Sequence, residues 1–102
     1  MTVTAQEVAS KLLEFYDHES KWTTGWYART ADGRSCGDRY ADASCWCALG
    51  AIRKIYGHIG DGNPEALALE SGLGQDIDDW NDDFDSFEDF RAALQHIANR
   101  PT

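Results

Sequence analysis

Residues 42–57, DASCWCALGAIRKIYG, constrain the fold more than any other stretch, because they form the most apolar run in the chain. Apolar residues recur there at steps of three and four, a spacing that predicts an amphipathic helix. The residues on this stripe are Cys45, Ala48, Leu49, Ile52, Ile55 and Tyr56. Gly57 suits the left-handed conformation that ends many helices. We therefore expect a central helix over residues 43–56, with Asp42 or Ser44 as its N-terminal cap.

Gly50 lies inside this predicted helix, one turn after Trp46. A glycine within a helix costs about 1 kcal/mol relative to alanine. That cost is most easily tolerated where another segment must approach the helix closely. We therefore expect the rest of the chain to cover the central helix on more than one side.

Capping signals predict a helix before the central one and another after it. Thr4 followed three residues later by Glu7 is a capping box, which begins a helix over about residues 5–19. The sequence Asn-Pro-Glu at 63–65 begins a second helix, of about two turns, because proline is favoured at the first helical position. Gly72 is its expected end.

The last predicted helix begins after Ser86 and ends before Pro101. Its apolar positions recur at helical spacing at Phe87, Phe90, Leu94 and Ile97. Residues 73–85 are expected to form an acidic connection to this helix. The residues of that connection expected to point inward are Ile77, Trp80 and Phe84.

Residues 22–41 show no helical period, and the Asp-Gly pair at 32–33 is a turn signal. A short β-hairpin or an ordered loop held by aromatic side chains is expected there. A chain of 102 residues is long enough for one domain. The predicted fold is therefore a single, mainly α-helical domain over residues 1–102, with about four helices arranged around the central one.

Charge is distributed unevenly along the chain, whose net charge is −9. Residues 1–58 carry seven acids and seven Lys or Arg, whereas residues 59–102 carry eleven acids against Arg91 and Arg100. This balance disfavours direct binding to nucleic acid, which requires cationic side chains to neutralise phosphates. It favours attraction to a basic surface on another protein.

The sequence contains neither a membrane-span pattern nor a secretion-signal pattern, so a cytoplasmic location without membrane association is expected. Three cysteines are an odd number, and in that compartment free thiols are expected rather than a disulfide framework.

Eight carboxylates lie within the fourteen residues 76–89, and they are the candidate partner-binding residues. They are Asp76, Asp78, Asp79, Asp82, Asp83, Asp85, Glu88 and Asp89. One alternative is a solvated loop whose acids cap helices. Another is a calcium-binding loop that begins at Asp79. Its sixth and twelfth positions are Phe84 and Phe90, however, where such a loop requires Gly and Glu.

Cysteine and histidine side chains support a second class of function, a small metal-dependent protein or enzyme. The residues concerned are Cys36, Cys45, Cys47, His18, His58 and His96. No CxxC pair is present, and on a helix two cysteines two residues apart would point about 200° away from each other. No catalytic residue, metal ligand or cofactor is assigned on this basis, and an enzyme is the less favoured interpretation.

A third class of function is a small-molecule binder that uses aromatic and basic residues between positions 22 and 40. These residues are Trp22, Trp26, Tyr27, Tyr40, Arg29, Arg34 and Arg39. Their alternative role is structural, with the aromatics packing the hairpin and the arginines pairing with the acidic segment of the same molecule.

Three motifs occur in order: WTTGWYARTADG at 22–33, CWCALGAI at 45–52 and WND at 80–82. Together they resemble a family of small uncharacterised proteins from bacteria and their phages. The resemblance implies no activity, but it makes a small stand-alone protein of a mobile element plausible. The motif residues that we interpret as structural are Trp22, Trp26, Trp46, Gly50, Trp80 and Asn81.

The function expected from charge, size and resemblance is that of a non-enzymatic, acidic interaction protein. It would bind a basic protein surface, such as the nucleic-acid-binding groove of a host defence complex, as an anti-CRISPR-type nucleic-acid mimic does. The sequence does not determine its oligomeric state.

Overall fold

A computed structural model of the chain describes residues 3–37, 41–57 and 64–100, and there it is mainly α-helical with a small antiparallel sheet. The helices are α1 (Ala5–Phe15), α2 (Ala48–Tyr56), α3 (Pro64–Leu73), α4 (Ile77–Asp82) and α5 (Phe87–Ala98). The strands are β1 (Ala28–Thr30), β2 (Ser35–Cys36) and β3 (Ala43–Trp46), and a 3₁₀ turn spans Glu19–Lys21. The predicted mainly α fold is confirmed. Predictions for Arg39, Tyr40, His58, Asn63 and Pro101 fall outside the described residues.

Helix α1 begins as its capping box predicts, with the Glu7 amide donating to the Thr4 hydroxyl at 3.2 Å. It ends at Phe15, four residues before the predicted end, because Tyr16 leaves the helical conformation. The buried Tyr16 hydroxyl donates to the Trp46 carbonyl at 2.7 Å, which ties the end of α1 to β3.

Helix α5 begins at the predicted cap, where the Ser86 hydroxyl accepts from the Asp89 amide at 3.2 Å. It packs against α1 through Phe90, whose side chain is fully buried. The Phe90 ring stacks on Trp22 with 5.0 Å between centroids and meets Trp80 at 5.4 Å. This aromatic cluster connects α5 to the segments that carry the sequence motifs.

The central helix is shorter than predicted, because residues 43–46 form strand β3. This strand pairs with β1 on the side opposite β2, so that Cys45 lies across from Arg29 in the order β2-β1-β3. The predicted start at 43 and the caps Asp42 and Ser44 are therefore wrong. In residues 43–46, backbone hydrogen bonds to β1 replace the helical hydrogen bonds that the apolar spacing predicts. The predicted hairpin is therefore part of a three-stranded sheet.

The acidic connection predicted over residues 73–85 contains helix α4, so the described ranges hold five α-helices rather than about four. Ile77 and Trp80 are buried, as expected, and Phe84 is half-buried. Helix α3 includes Gly72, the predicted stop, and ends one residue later. Gly74 then adopts the left-handed conformation, with φ of +74°.

The first turn of α2 lies directly against the backbone that leads into β1. The Cys47 amide donates to the Tyr27 carbonyl at 3.1 Å. A Cβ atom placed on Gly50 would overlap that same carbonyl oxygen. A side chain at this position would therefore force helix and strand apart.

We predict that Gly50→Ala lowers the free energy of unfolding by about 3 kcal/mol, because the added methyl group meets backbone that cannot rotate away. Urea denaturation measures this loss. The control is Gly37→Ala, since a Cβ there has no neighbour within 4 Å, and it should change stability by less than about 1 kcal/mol. Equal denaturation midpoints for the two variants would contradict the prediction.

Candidate functional site

Asn81 is fully buried and joins three segments through the four hydrogen bonds that an amide side chain can make readily. Its Oδ1 accepts from Trp22 Nε1 at 2.8 Å and from the Ala48 amide at 3.0 Å. Its Nδ2 donates to the Thr23 carbonyl at 3.0 Å and to Asp82 Oδ1 at 3.1 Å. Helix α4, the start of α2 and the loop before β1 are thereby held together.

Asn81 and Asp82, the last two residues of the WND motif, make long-range contacts. Both residues lie within the last turn of α4, and the backbone groups that they bind are distant in sequence. Asp82 Oδ1 accepts from the Gly25 amide at 3.0 Å, while Asn81 accepts from the first amide of α2.

A cavity of about 250 Å³ lies beside this junction, between the loop before β1, the start of α2 and α4. It is lined by Gly25, Trp26, Tyr27, Cys47, Asp78 and Asp82. We call it the junction pocket. Three hydrogen bonds fix its walls relative to one another: Gly25 to Asp82, Cys47 to Tyr27, and Asn81 to Thr23.

Cys47 forms the floor of the junction pocket and is only 5% exposed. It is the N-cap of α2, and its Sγ accepts from the Gly50 amide at 3.4 Å. Burial raises the pKa of this thiol from 9.0 to about 11. The sulfur is therefore protonated at neutral pH and is not the thiolate that nucleophilic catalysis requires.

The helical spacing predicts Cys45 on the packed face of the helix and Cys47 elsewhere, and the structure reverses this arrangement. Cys45 lies in β3, half-buried, with its Sγ donating to the Arg29 carbonyl at 3.7 Å. Cys47 is the buried one. Within the described ranges, no three His, Cys, Asp or Glu side chains lie close enough together to hold a metal ion.

All eight candidate partner-binding carboxylates are exposed, and they lie at the N-cap of α4, on α4, on the turn after it and on the first turn of α5. Burial raises the pKa of Asp78, and the charges of Asp76, Asp79 and Asp82 raise it further. None of the ion pairs in the described part of the chain includes any of the eight. Within the described residues, no ion pair therefore offsets the repulsion in this segment.

The arginines expected to pair with this segment have other partners. Arg34 pairs with Asp32 at 2.9 Å. Arg29 donates to the Gly33 carbonyl at 3.1 Å and to the Thr24 carbonyl at 3.3 Å. Both arginines stabilise the β1–β2 turn and its approach, and the prediction that they neutralise the acidic segment is wrong.

Among the residues interpreted as structural, Trp26 differs from the rest. Trp46 and Trp80 are buried, and Trp22 stacks in the aromatic cluster. Trp26 instead is 51% exposed. Its ring and the Tyr27 ring form an edge-to-face pair with 6.3 Å between their centroids. It forms the outer wall of the junction pocket and does not brace the hairpin from inside.

Sequence reasoning missed the junction pocket, because its residues come from three separate segments. The one available signal was Cys47 directly before the Ala-Leu-Gly-Ala run, where a side chain that accepts a hydrogen bond caps a helix. Its interpretation required knowing that the preceding four residues form a strand.

The fold and this site define a small, mainly α-helical domain in which exposed carboxylates of the segment 76–89, none of them in an ion pair with another described residue, lie beside a partly aromatic pocket. The chain matches a family of unknown function, DUF6197, over residues 3–100, and it belongs to that family. No curated protein and no solved structure matches it. No helix in the described ranges is long and apolar enough to span a membrane.

We predict that Asn81→Ala lowers the free energy of unfolding by about 3 kcal/mol, because it leaves the buried amide of Ala48 and the half-buried polar groups of Trp22 and Thr23 unpaired. Chemical denaturation tests this. Asn99→Ala is the matched control, since Asn99 is exposed at the end of α5 and should cost less than about 1 kcal/mol. Similar losses for both variants would show that the Asn81 network contributes little.

The raised pKa of Cys47 predicts a loss of stability in alkaline solution. The folded protein holds this proton to higher pH than the unfolded chain, so the stabilisation is complete below pH 9.0 and declines as pH rises towards about 11. The decline is at most about 1.4 kcal/mol per pH unit.

Urea denaturation under reducing conditions at pH 8 and pH 10 measures this effect. Cys47→Ser keeps a capping side chain but does not titrate in this range, so it should lose about 1 kcal/mol less than the natural chain between these two values. Identical losses in the two proteins would contradict the prediction.

Proposed function

We propose that this protein is a non-enzymatic interaction protein that binds a basic surface of a partner protein through its acidic face. The acidic face consists of Asp76, Asp78, Asp79, Asp82, Asp83, Asp85, Glu88 and Asp89. The observation that carries the proposal is that all eight carboxylates are exposed, while none forms an ion pair within the described residues.

Helix capping accounts for only part of this charge. Asp78, Asp79, Glu88 and Asp89 lie in the first turns of α4 and α5, where the helix dipole favours negative charge. Asp76 is the N-cap of α4 and Asp85 directly precedes the N-cap of α5, so the dipole favours these two as well. Asp82 and Asp83, at the end of α4, have no such explanation.

Asp83 follows the last residue of α4, where the helix dipole disfavours negative charge. No hydrogen bond or ion pair within the described residues involves the carboxylate of Asp83 or of Asp85. A basic partner would relieve the repulsion among these charges, and it would be attracted over distances of about 10 Å at moderate salt.

A narrower form of the proposal identifies the partner surface as the nucleic-acid-binding groove of a host defence complex. In this form the protein is phage-like, acts as a nucleic-acid mimic of the anti-CRISPR type and works in the host cytoplasm. Carboxylates held on a fixed helical segment can replace phosphates in such a groove. All three cysteines are free thiols, which suits a reducing compartment. The protein itself would not bind nucleic acid, because its net charge of −9 opposes phosphate contacts.

The test is affinity capture from a bacterial lysate at low and high salt, with a variant that carries Asn at Asp78, Asp79, Asp83 and Asp85. Asp82 is kept, because it binds the Gly25 amide. We expect the variant to lose most of the capture seen with the natural chain, and high salt to weaken the natural complex.

The control variant removes the same amount of charge elsewhere on the surface. It replaces Glu7, Glu14 and Glu19 with Gln and Asp42 with Asn, all of which are exposed. It should capture the partner nearly as well as the natural chain. Equal losses for both variants would mean that total charge, and not the acidic face, governs binding; unchanged capture by the first variant would refute the proposal.

For the narrower form, DNA and RNA are added to the captured complex. Displacement of the protein by nucleic acid is expected if the two share one groove. A captured partner that binds nucleic acid equally well in the presence and absence of the protein would contradict that form alone.

A further inference from the structure

We propose that the junction pocket receives the guanidinium group of an arginine side chain from the partner protein. This inference rests on the proposed function, because it names the contact by which a basic partner would be held at one point of the acidic face. It depends on a cavity, an exposed aromatic wall and two carboxylates, which come from different segments of the chain.

Charge and polarity in the pocket favour a cation. Asp78 and Asp82 lie one helical turn apart on α4, so both carboxylates border the same side of the cavity. The floor is the protonated, uncharged thiol of Cys47. Among the residues that the structure describes, no Lys or Arg lines the cavity, so none of them places a cation there beside the two carboxylates.

The aromatic wall favours a cation that can stack. Trp26 is 51% exposed, whereas tryptophan is highly buried on average, so much of its ring is open to a partner group. The adjacent Tyr27 ring already carries the Arg53 guanidinium, with 4.9 Å between Cζ and the ring centroid. That contact is an example, within this molecule, of the stacking proposed for Trp26, and it leaves Trp26 as the open ring.

Size and geometry distinguish an arginine side chain from other cations. The volume of about 250 Å³ is below the roughly 300 Å³ at which pockets for drug-sized ligands begin, so a single side chain suits it better. A metal ion would need several side-chain ligands directed at one position. No group of three or more His, Cys, Asp or Glu side chains in the described ranges could hold one. Guanidinium both stacks on aromatic rings and donates in parallel to carboxylates, whereas ammonium lacks the planar fork.

The pocket is held open in advance of binding. Asp82 binds the Gly25 amide, and Asn81 fixes the neighbouring Thr23 carbonyl, so α4 and the aromatic loop keep their spacing. A pre-formed site loses little conformational entropy on binding, which matters for a contact as small as one side chain.

The experiment titrates the protein with the blocked peptide Gly-Gly-Arg-Gly-Gly and with the same peptide carrying citrulline or lysine. NMR follows the Trp26 indole N–H, with the buried Trp80 indole as the internal reference. We expect the Trp26 signal to shift when the arginine peptide is added. The citrulline peptide, whose side chain has no charge, should bind roughly tenfold more weakly, and the lysine peptide should show a smaller loss of affinity.

Variants locate the contact. Asp78→Asn and Trp26→Leu should each weaken arginine-peptide binding roughly fivefold or more, whereas Trp26→Phe should retain part of it, because a ring remains. Binding by the two Trp26 variants is followed at the backbone amide of Gly25, which lines the same pocket. Asp85→Asn is the matched control: it removes the same charge from the acidic face but not from the pocket, and it should change binding less than about twofold.

Equal binding of the arginine and citrulline peptides, equal effects of Asp78→Asn and Asp85→Asn, or no shift at Trp26 would each overturn the pocket assignment. None of these results touches the acidic-face proposal, which depends on lysate capture by the four-carboxylate variant. Conversely, unchanged capture by the four-carboxylate variant, together with arginine-peptide binding by the natural chain, would contradict the acidic face and leave the pocket.

Discussion

The buried amide of Asn81 is the interaction on which the rest of this structure depends. One side chain saturates donors and acceptors from the Trp22 indole, the Thr23 carbonyl and the first amide of α2. In a low-dielectric interior such bonds are strong, and each would be costly to leave unmade. The network therefore determines where α4 lies relative to α2, and it does so with a geometric precision that apolar packing alone does not supply.

The aromatic cluster and the close approach at Gly50 complete this arrangement from two sides. Trp22, held by Asn81 at its indole nitrogen, stacks on Phe90 and so carries the constraint to α5. On the other side, the Tyr27 carbonyl binds the Cys47 amide and occupies the space that a side chain at position 50 would need. Polar and apolar contacts thus position the same few segments, and the junction pocket is the gap between them.

The distribution of charge becomes more informative once the helices are in place. Acids in the first turns of α4 and α5 are favoured by the helix dipole, so their presence alone indicates little about function. Asp83 is different, because it directly follows the last residue of α4. Asp82 has a dual position, since it binds Gly25 and also borders the pocket. Because of these differences within one acidic segment, the proposed attraction to a basic partner can be linked to a specific proposed contact in the junction pocket.

Local signals in the sequence determined the mainly α-helical class, the starts of α1 and α5 at Thr4 and Ser86, and the turn between β1 and β2. Each of these rests on interactions within four residues, such as a hydroxyl accepting from an amide three positions later. The excess of acid after residue 58 is likewise a property of the sequence itself. The family assignment also follows from the sequence.

Only the tertiary structure decided that residues 43–46 form a strand, because the partner that stabilises them, β1, lies some fifteen residues away. The apolar spacing of that stretch is compatible with both a helix and a buried strand, and pairing with a distant segment resolved the choice. The same holds for the roles of Asn81, Cys47 and Trp26, whose contacts join segments far apart in the chain. Short-range rules describe hydrogen bonds that close within one turn, whereas the junction that shapes this protein is made of long-range ones.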